Sequence, residues 1–450
     1  MRRGKLMKEQ RTENYAERLS RMIRSETVSS VKENDKTKFY NFHELLRELF
    51  PSLFSICAFE DFNGSIMLRW KGSNPELLPI MLMNHHDVVE ASGAWSHPPF
   101  SGEIADGKLF GRGTLDTKGG LWAMLQAADE LASEGFVPAR DVYFVSSCNE
   151  ETCGAGADAI SRALVDRGIR FFMVLDEGGM IINEPIGGAK GSFAMIGVGE
   201  KGCADLKFIA RSAGGHASTP PKDTPLVRLG RFMAAAEKKK IFHAKLSPTV
   251  CAMFRAISAS MSGALKPILG HPKLFSPILC RVIPSVSSAA GAMLKTTVAF
   301  TMSSGSDGMN VLPQEAWVIG NMRYSHHQGA EDSIAQIADL AKKFDIETVV
   351  IDRGVDSPLS DHRSSAFALV ERAVGAVYPE VRTSPYVMTG ASDCRYMSRV
   401  SDNCLRFTPF IIDDTQLESV HGIDENLSLD TLAPAVDFYR YIITEVQNEG

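Results

Sequence analysis

The sequence predicts an α/β protein in which a mainly parallel sheet, covered by helices on both faces, is interrupted by a second unit. Three observations carry this. Apolar runs at 78–83, 142–146 and 171–175 have the length and composition of buried strands. Helical patterns lie between them: one over about 120–134, with Leu121, Met124, Leu125, Ala128 and Leu131 on one face and Gly135 as its stop, and another over about 156–167. After Val198 the texture changes to a strand-like 204–210, a turn-rich 214–223 and a helix opened by Asp223-Thr224-Pro225 that runs to about Lys238. Strands alternating with helices at this spacing argue for a mainly parallel sheet covered on both faces.

Residues 245–300, rich in Ala, Ser, Met and Pro, read as a helical insertion. Helix–strand alternation then resumes at 332–344, 347–352 and 365–377, and a last helix covers about 431–446. At 450 residues the chain is too long for one core. The organisation expected is a discontinuous first unit, 1–198 with 327–450, and an inserted unit at 199–326.

Composition excludes several classes of function. Apolar residues make up 44%, charged residues 23%, and the net charge is −6, which offers no footprint for a nucleic acid. The greasiest region is broken by Lys266, Lys273, Arg281 and Lys295, so no membrane span is expected, and neither is a membrane partner. The first 24 residues are charged throughout and lack a signal-peptide core. The eight cysteines are scattered and read as reduced, buried thiols. A cytoplasmic protein acting on a small molecule is the expectation.

Five clusters carry the chemistry. In Met83-Asn84-His85-His86-Asp87, directly after a strand, alternation puts His85 and Asp87 on one side and His86 on the other. That suits a metal-binding imidazole with its orienting carboxylate, or simply a polar strand end. Gly111-Arg112-Gly113-Thr114-Leu115-Asp116-Thr117-Lys118-Gly119-Gly120 opens a helix but lacks both the Walker spacing and the dinucleotide fingerprint. Asp116 there can bridge two cations or cap the helix. Glu150 and Glu151 follow the 142–146 strand and face different ways, as a general base beside a ligand would. Asp176-Glu177-Gly178-Gly179 follows the third strand, and His421 precedes the last helix. Successive strand ends of a parallel sheet deliver such groups to one rim, and the resulting N/O donor set fits a pair of zinc-like ions.

As a set, in this order over about residues 80–425, the motifs resemble the co-catalytic zinc hydrolases that include glutamate carboxypeptidase, aminoacylase, succinyl-diaminopimelate desuccinylase and carboxypeptidase S. Ile196-Gly197-Val198-Gly199-Glu200-Lys201-Gly202 and the long insertion look closest to the carboxypeptidase S branch. The resemblance implies a zinc-exopeptidase-like catalytic domain with an α+β lid or dimerisation domain at 199–326. It implies two divalent ions, zinc first and cobalt or manganese as alternatives. His85 and Asp176 would hold one, Glu151 and His421 the other, with Asp116 bridging and followed by a cis peptide bond. Asp87 would orient His85, and Glu150 would be the general base. His216, in Gly214-Gly215-His216-Ala217-Ser218, would stabilise the oxyanion, often across a homodimer interface. Asn310, Arg323 and Gly390 would contact substrate. The activity implied is hydrolysis of the amide bond of small peptides or N-acyl amino acids with a free carboxylate. The alternatives are an aminoacylase-like amidohydrolase rather than a peptidase, and a non-catalytic metal-binding homologue.

Overall fold

The computed structural model describes residues 2–32, 34–152, 154–238 and 241–449, with side chains from residue 9 onward. Its centre is a ten-stranded mixed sheet. Along one path the order runs Ala58–Phe62, Ser65–Trp70, Val142–Ser147, Ile80–His85, Met173–Asp176, Cys404–Arg406, Ser192–Glu200, Ile181–Asn183 and Ile411–Ile412, and Arg382–Met388 pairs with Ser192–Glu200. The four strands from Val142–Ser147 to Cys404–Arg406 are mutually parallel, so their carboxyl ends share one rim.

Alternation explains why both faces are covered. Ile80, Leu82, Val142, Phe144, Met173 and Leu175 join the larger core with the helices Lys118–Ser133, Ser365–Val377 and Leu432–Glu445. Met81, Met83, Tyr143, Val145 and Val174 face the other way, onto Ala155–Asp166 and Cys394–Met397. The three expected strands are present, displaced by two residues or fewer. The N-terminal segment, read as merely charged, is the helix Arg2–Arg24, which buries Tyr15, Leu19, Met22 and Ile23 in the larger core. Arg11 pairs with Asp437 (2.7 Å) and the Tyr15 hydroxyl bonds Glu130, tying this helix to the rest.

A second, antiparallel sheet has the order Thr297–Ser304, Glu315–Tyr324, Gly202–Arg211, Glu347–Asp352. One face, with Ala204, Leu206, Phe208, Val318 and Met322, packs under Pro225–Lys238 and Gly329–Lys342. The expected unit ended at 326. Gly329–Lys342 and Glu347–Asp352 belong to this second sheet instead, because Glu347–Asp352 pairs with Gly202–Arg211 and Ile337, Leu340 and Ile346 complete its core.

The insertion forms four helices, Pro248–Ser258, Leu265–Gly270, Ser276–Val286 and Ser288–Leu294. Although it is threaded between elements of the second sheet, it packs on the first: Val250, Phe254, Ile257 and Leu279 cluster with Phe193, Met195 and Tyr386. Seven cysteines carry no disulfide; Cys57, Cys203 and Cys280 are only half-buried, and Cys153 lies outside the described residues. Among the described residues no helix is long and apolar enough to cross a membrane.

A buried ion pair pins the junction of the two sheets. Arg406 Nε donates to Glu200 Oε2 (3.0 Å) and its Nη2 to Ser357 Oγ (3.0 Å), while Glu200 also accepts the Ser392 N–H (3.1 Å). Replacing Arg406 by Met strands an uncompensated buried carboxylate, so a loss of about 3–5 kcal/mol of stability is expected in thermal or urea unfolding. Near-normal stability would show that Glu200 finds another partner.

Candidate active site

The parallel rim brings together groups that lie far apart in the sequence. His85 ends its strand, and its Nε2 lies 2.9 Å from Asp116 Oδ1. His421 Nε2 lies 3.0 Å from Asp116 Oδ2 and 3.2 Å from Glu151 Oε2. Asp116 is thus flanked by both imidazoles, one on each carboxylate oxygen. Its peptide bond to Thr117 is cis, as the resemblance implies.

Asp87 works mainly through the backbone. Its carboxylate accepts the N–H groups of Glu150 (3.1 Å) and Glu151 (3.2 Å), receives the Ser29 hydroxyl (2.7 Å) and stands 3.4 Å from His85 Nδ1. His85 Nδ1 bonds the Asp87 backbone carbonyl (2.9 Å), so this one residue sets the imidazole and both glutamates. His86 turns away, its Nδ1 2.8 Å from Ser146 Oγ and its ring among Phe39, Phe42 and His43.

The glycine-rich loop holds no phosphate cradle. Its glycines answer to packing: a Cβ at Gly119 would lie 2.2 Å from the Thr114 carbonyl, and one at Gly120 2.3 Å from Asn84 Oδ1. The loop is fixed by Glu425, which sequence reasoning missed. This buried carboxylate accepts from Arg112 Nη1 (2.7 Å) and from the N–H groups of Gly113 (3.0 Å), Leu115 (2.8 Å) and Asp116 (3.1 Å). Arg112 Nη2 in turn donates to the Gly422 carbonyl (2.6 Å), beside His421.

These groups open on a cavity of about 1020 Å³. Asp116, Glu150, Glu151 and His421 line it, with Arg323 and Gly390. Two expected residues are placed elsewhere. His216 lies in a small exposed ladder, Gly215–His216 against Val311–Leu312, Asn310 directly precedes it, and neither lines the cavity of this chain.

Asp176 also departs from expectation. It is buried at the end of its strand, its Oδ2 occupied by the Cys394 N–H (2.8 Å), whereas the next residue, Glu177, lines the cavity with the other carboxylates. The expectation took the first acidic residue after the strand. The Cys394 N–H holds that one inward, and the following one, just past the end of the strand, reaches the rim. Arg395, also absent from the sequence reading, lies 3.6 Å from Glu150 Oε1. Nothing in the local pattern around either glutamate or arginine marked them apart from their neighbours.

Electrostatically the site asks for a cation. Burial pushes Glu150 and Glu177 well above the usual carboxylate range, with Asp393 adding to the first and Asp176 and Asp116 to the second. Burial also raises Glu151, partly offset by His421. Asp116 is held low despite its burial, through hydrogen bonds with His421 and His85. Ligand atoms of His85, Asp116 and Glu151 lie within 4.8 Å of one another, and Glu151 Oε1 is buried without a hydrogen-bond partner. Crowded carboxylates, two imidazoles and an orphaned ligand oxygen fit a divalent metal ion.

Fold and site together define a class, the metallo-hydrolases built on an α/β sheet. More narrowly, the chain belongs to the family described as Peptidase family M20/M25/M40, which matches residues 81–445. It is 30% identical over 443 residues to the probable carboxypeptidase S-like 2 of Dictyostelium discoideum, covering 96% of this chain and 85% of that protein. It is 29% identical over 432 residues to the human N-fatty-acyl-amino acid synthase/hydrolase PM20D1, covering 94% and 85%. The fold is similar to that of the M20 family metallo-carboxypeptidase Sso-CP2 from Sulfolobus solfataricus, with a TM-score of 0.69 at 15% identity over 94% of this chain and 97% of that one. The resemblance drawn from the motifs, carboxypeptidase S branch included, is borne out.

Exchange of the two neighbouring carboxylates separates their roles. Glu177→Gln is expected to lower the divalent metal retained per chain, read by elemental analysis after dialysis, whereas Asp176→Asn should leave it within about twofold. The reverse result would restore Asp176 as the ligand.

Proposed function

We propose that this metallo-hydrolase cleaves the amide bond of an N-acyl amino acid that carries a free carboxylate and an apolar acyl group. The make-up of the cavity supports the reading. One part of its lining is the carboxylate rim with Glu150. A second is the outer face of the second sheet, where Asp205, Asn321 and Arg323 alternate with the buried core residues. Arg323 Nε donates to Asn321 Oδ1 (3.1 Å), which leaves the rest of its guanidinium for a substrate carboxylate. Lys201, driven down to about 7 by burial with Arg323 and Lys295 adding to the effect, lines the same cavity. A third part is apolar, formed by Met180, Ile186, Met195, Met253, Ile257 and Met293. Small peptides need the first two parts and make little use of the third. They are the second reading, favoured by the carboxypeptidase name of the Dictyostelium relative, as the human relative's name favours the first.

His85, Asp116, Glu151, Glu177 and His421 are the residues that would hold the metal, two divalent ions by the number of donors, zinc before cobalt or manganese. A divalent ion bound there supplies Lewis acidity to water and to the scissile carbonyl. Glu150, beside the cluster and raised by burial, takes the proton of the attacking water and returns it to the leaving nitrogen. Asp87 keeps the Glu150 and Glu151 backbone and the His85 ring in register. Arg323 anchors the carboxylate, and the Gly390 loop borders the cavity. His216 stabilises the oxyanion only if a second copy of the chain presents it.

Glu150→Gln is expected to lower kcat by about 10²–10⁴-fold with metal content unchanged; near-normal turnover would remove Glu150 from the reaction. Across N-acetyl-, N-octanoyl- and N-lauroyl-phenylalanine, kcat/KM should climb steeply, since each buried CH₂ contributes about 0.8 kcal/mol, roughly fourfold. A flat series, with Ala-Phe the better substrate, would hand the site to the peptidase reading.

A further inference from the structure

The inserted helices have a second, outward face that the chemistry of the cavity does not use. On Ser276–Val286, Leu279 packs inward, while Ile278, Val282 and Val286 stand in an i, i+4, i+8 stripe at 57%, 46% and 75% exposure. Leu274, one step further along the same stripe and just before the helix, is 76% exposed. Large aliphatic side chains spaced this way usually make a helix's buried face, and here they point to solvent.

The charge around the stripe is one-sided. From Ile241 to Ser306 the sequence has no Asp or Glu, yet it has Lys245, Arg255, Lys266, Lys273, Arg281 and Lys295, in a chain whose net charge is −6. Lys266, Lys273 and Arg281 are exposed, and Lys273 and Arg281 border the stripe in the chain. An aliphatic stripe flanked by cations, with acidic groups absent from the whole segment, matches a surface with an apolar interior and anionic headgroups. A second copy of the chain fits badly, since pairing two stripes would set Lys273 and Arg281 against their own like charges.

We propose that the insertion docks this protein peripherally on an anionic lipid surface, through Leu274, Ile278, Val282 and Val286 with Lys273 and Arg281. The sequence expectation of no membrane partner was based on spanning segments, and such docking needs none. The adjoining helix Ser288–Leu294 places Ala289, Ala290 and Met293 in the cavity lining, so the docked face adjoins the apolar part of the site. The proposal stands on the surface alone and does not depend on which amide is cut.

The metal-loaded full chain, mixed with phosphatidylcholine–phosphatidylglycerol vesicles and separately with pure phosphatidylcholine vesicles, tests it by co-sedimentation. Binding to the anionic vesicles, weakened by added NaCl, is expected. Ile278→Ser/Val282→Ser/Val286→Ser should lower the partition at least about tenfold. Lys273→Glu/Arg281→Glu, at two exposed positions, should do the same and keeps the test open should the triple variant melt early. The proposal falls if the unaltered chain stays in the supernatant, or if it and the charge variant sediment alike. It falls equally if analytical ultracentrifugation shows the stripe substitutions dissolving a dimer while vesicle binding is unchanged.

Discussion

The site depends on one buried carboxylate, Glu425. The Asp116 loop and the His421 loop lie some three hundred residues apart in the sequence, and both imidazoles must meet the same aspartate. Glu425 gathers the backbone N–H groups that lead into Asp116, and its partner Arg112 holds the carbonyl next to His421. A carboxylate and a guanidinium fully out of water are costly unless each lone pair and proton finds a partner in good geometry. Here all but Arg112 Nε do, so the pair fixes the two loops against each other before any cation arrives. Asp87 does the corresponding work on the other side of the rim. Repulsion among the ligands is thereby held in a scaffold rather than relieved by the ligands moving apart.

Legibility in the sequence follows physical range. The strands at 80–85, 142–147 and 173–176 announced themselves because burial on both faces makes a continuous apolar run. Their polar successors could then be assigned to one rim without knowing any contact. His85 and His86 were separable by the pleat alone. Asp176 and Glu177 were not, because the strand stops at Asp176 and which of the two turns to the rim depends on the Cys394 N–H, more than two hundred residues away. Glu425 and Arg112 were invisible for the same reason: a buried ion pair has no local period. The helix Arg2–Arg24 was hidden differently, its Tyr15, Leu19, Met22 and Ile23 diluted by charges on the faces left in water.

The cavity is assembled from three sources with different chemistry. The first sheet contributes carboxylates and imidazole, the second sheet contributes amide and guanidinium groups, and the insertion contributes methionine and isoleucine. A general amide hydrolase needs the first. Recognition of a substrate with a charged end and an apolar end draws on the other two, and the methionines suit acyl groups of differing shape.

Threading and packing disagree in the insertion, and this has a mechanical corollary. Its helices interrupt the second sheet in sequence but are anchored on Phe193, Met195 and Tyr386 of the first. Were the second sheet to pivot about the Glu200–Arg406 junction, Arg323 would travel with it, while Met253, Ile257 and Met293 would keep station over the carboxylates. A ligand's greasy tail would then be received by a stationary socket, and only the grip on its charged head would be conditional on closure.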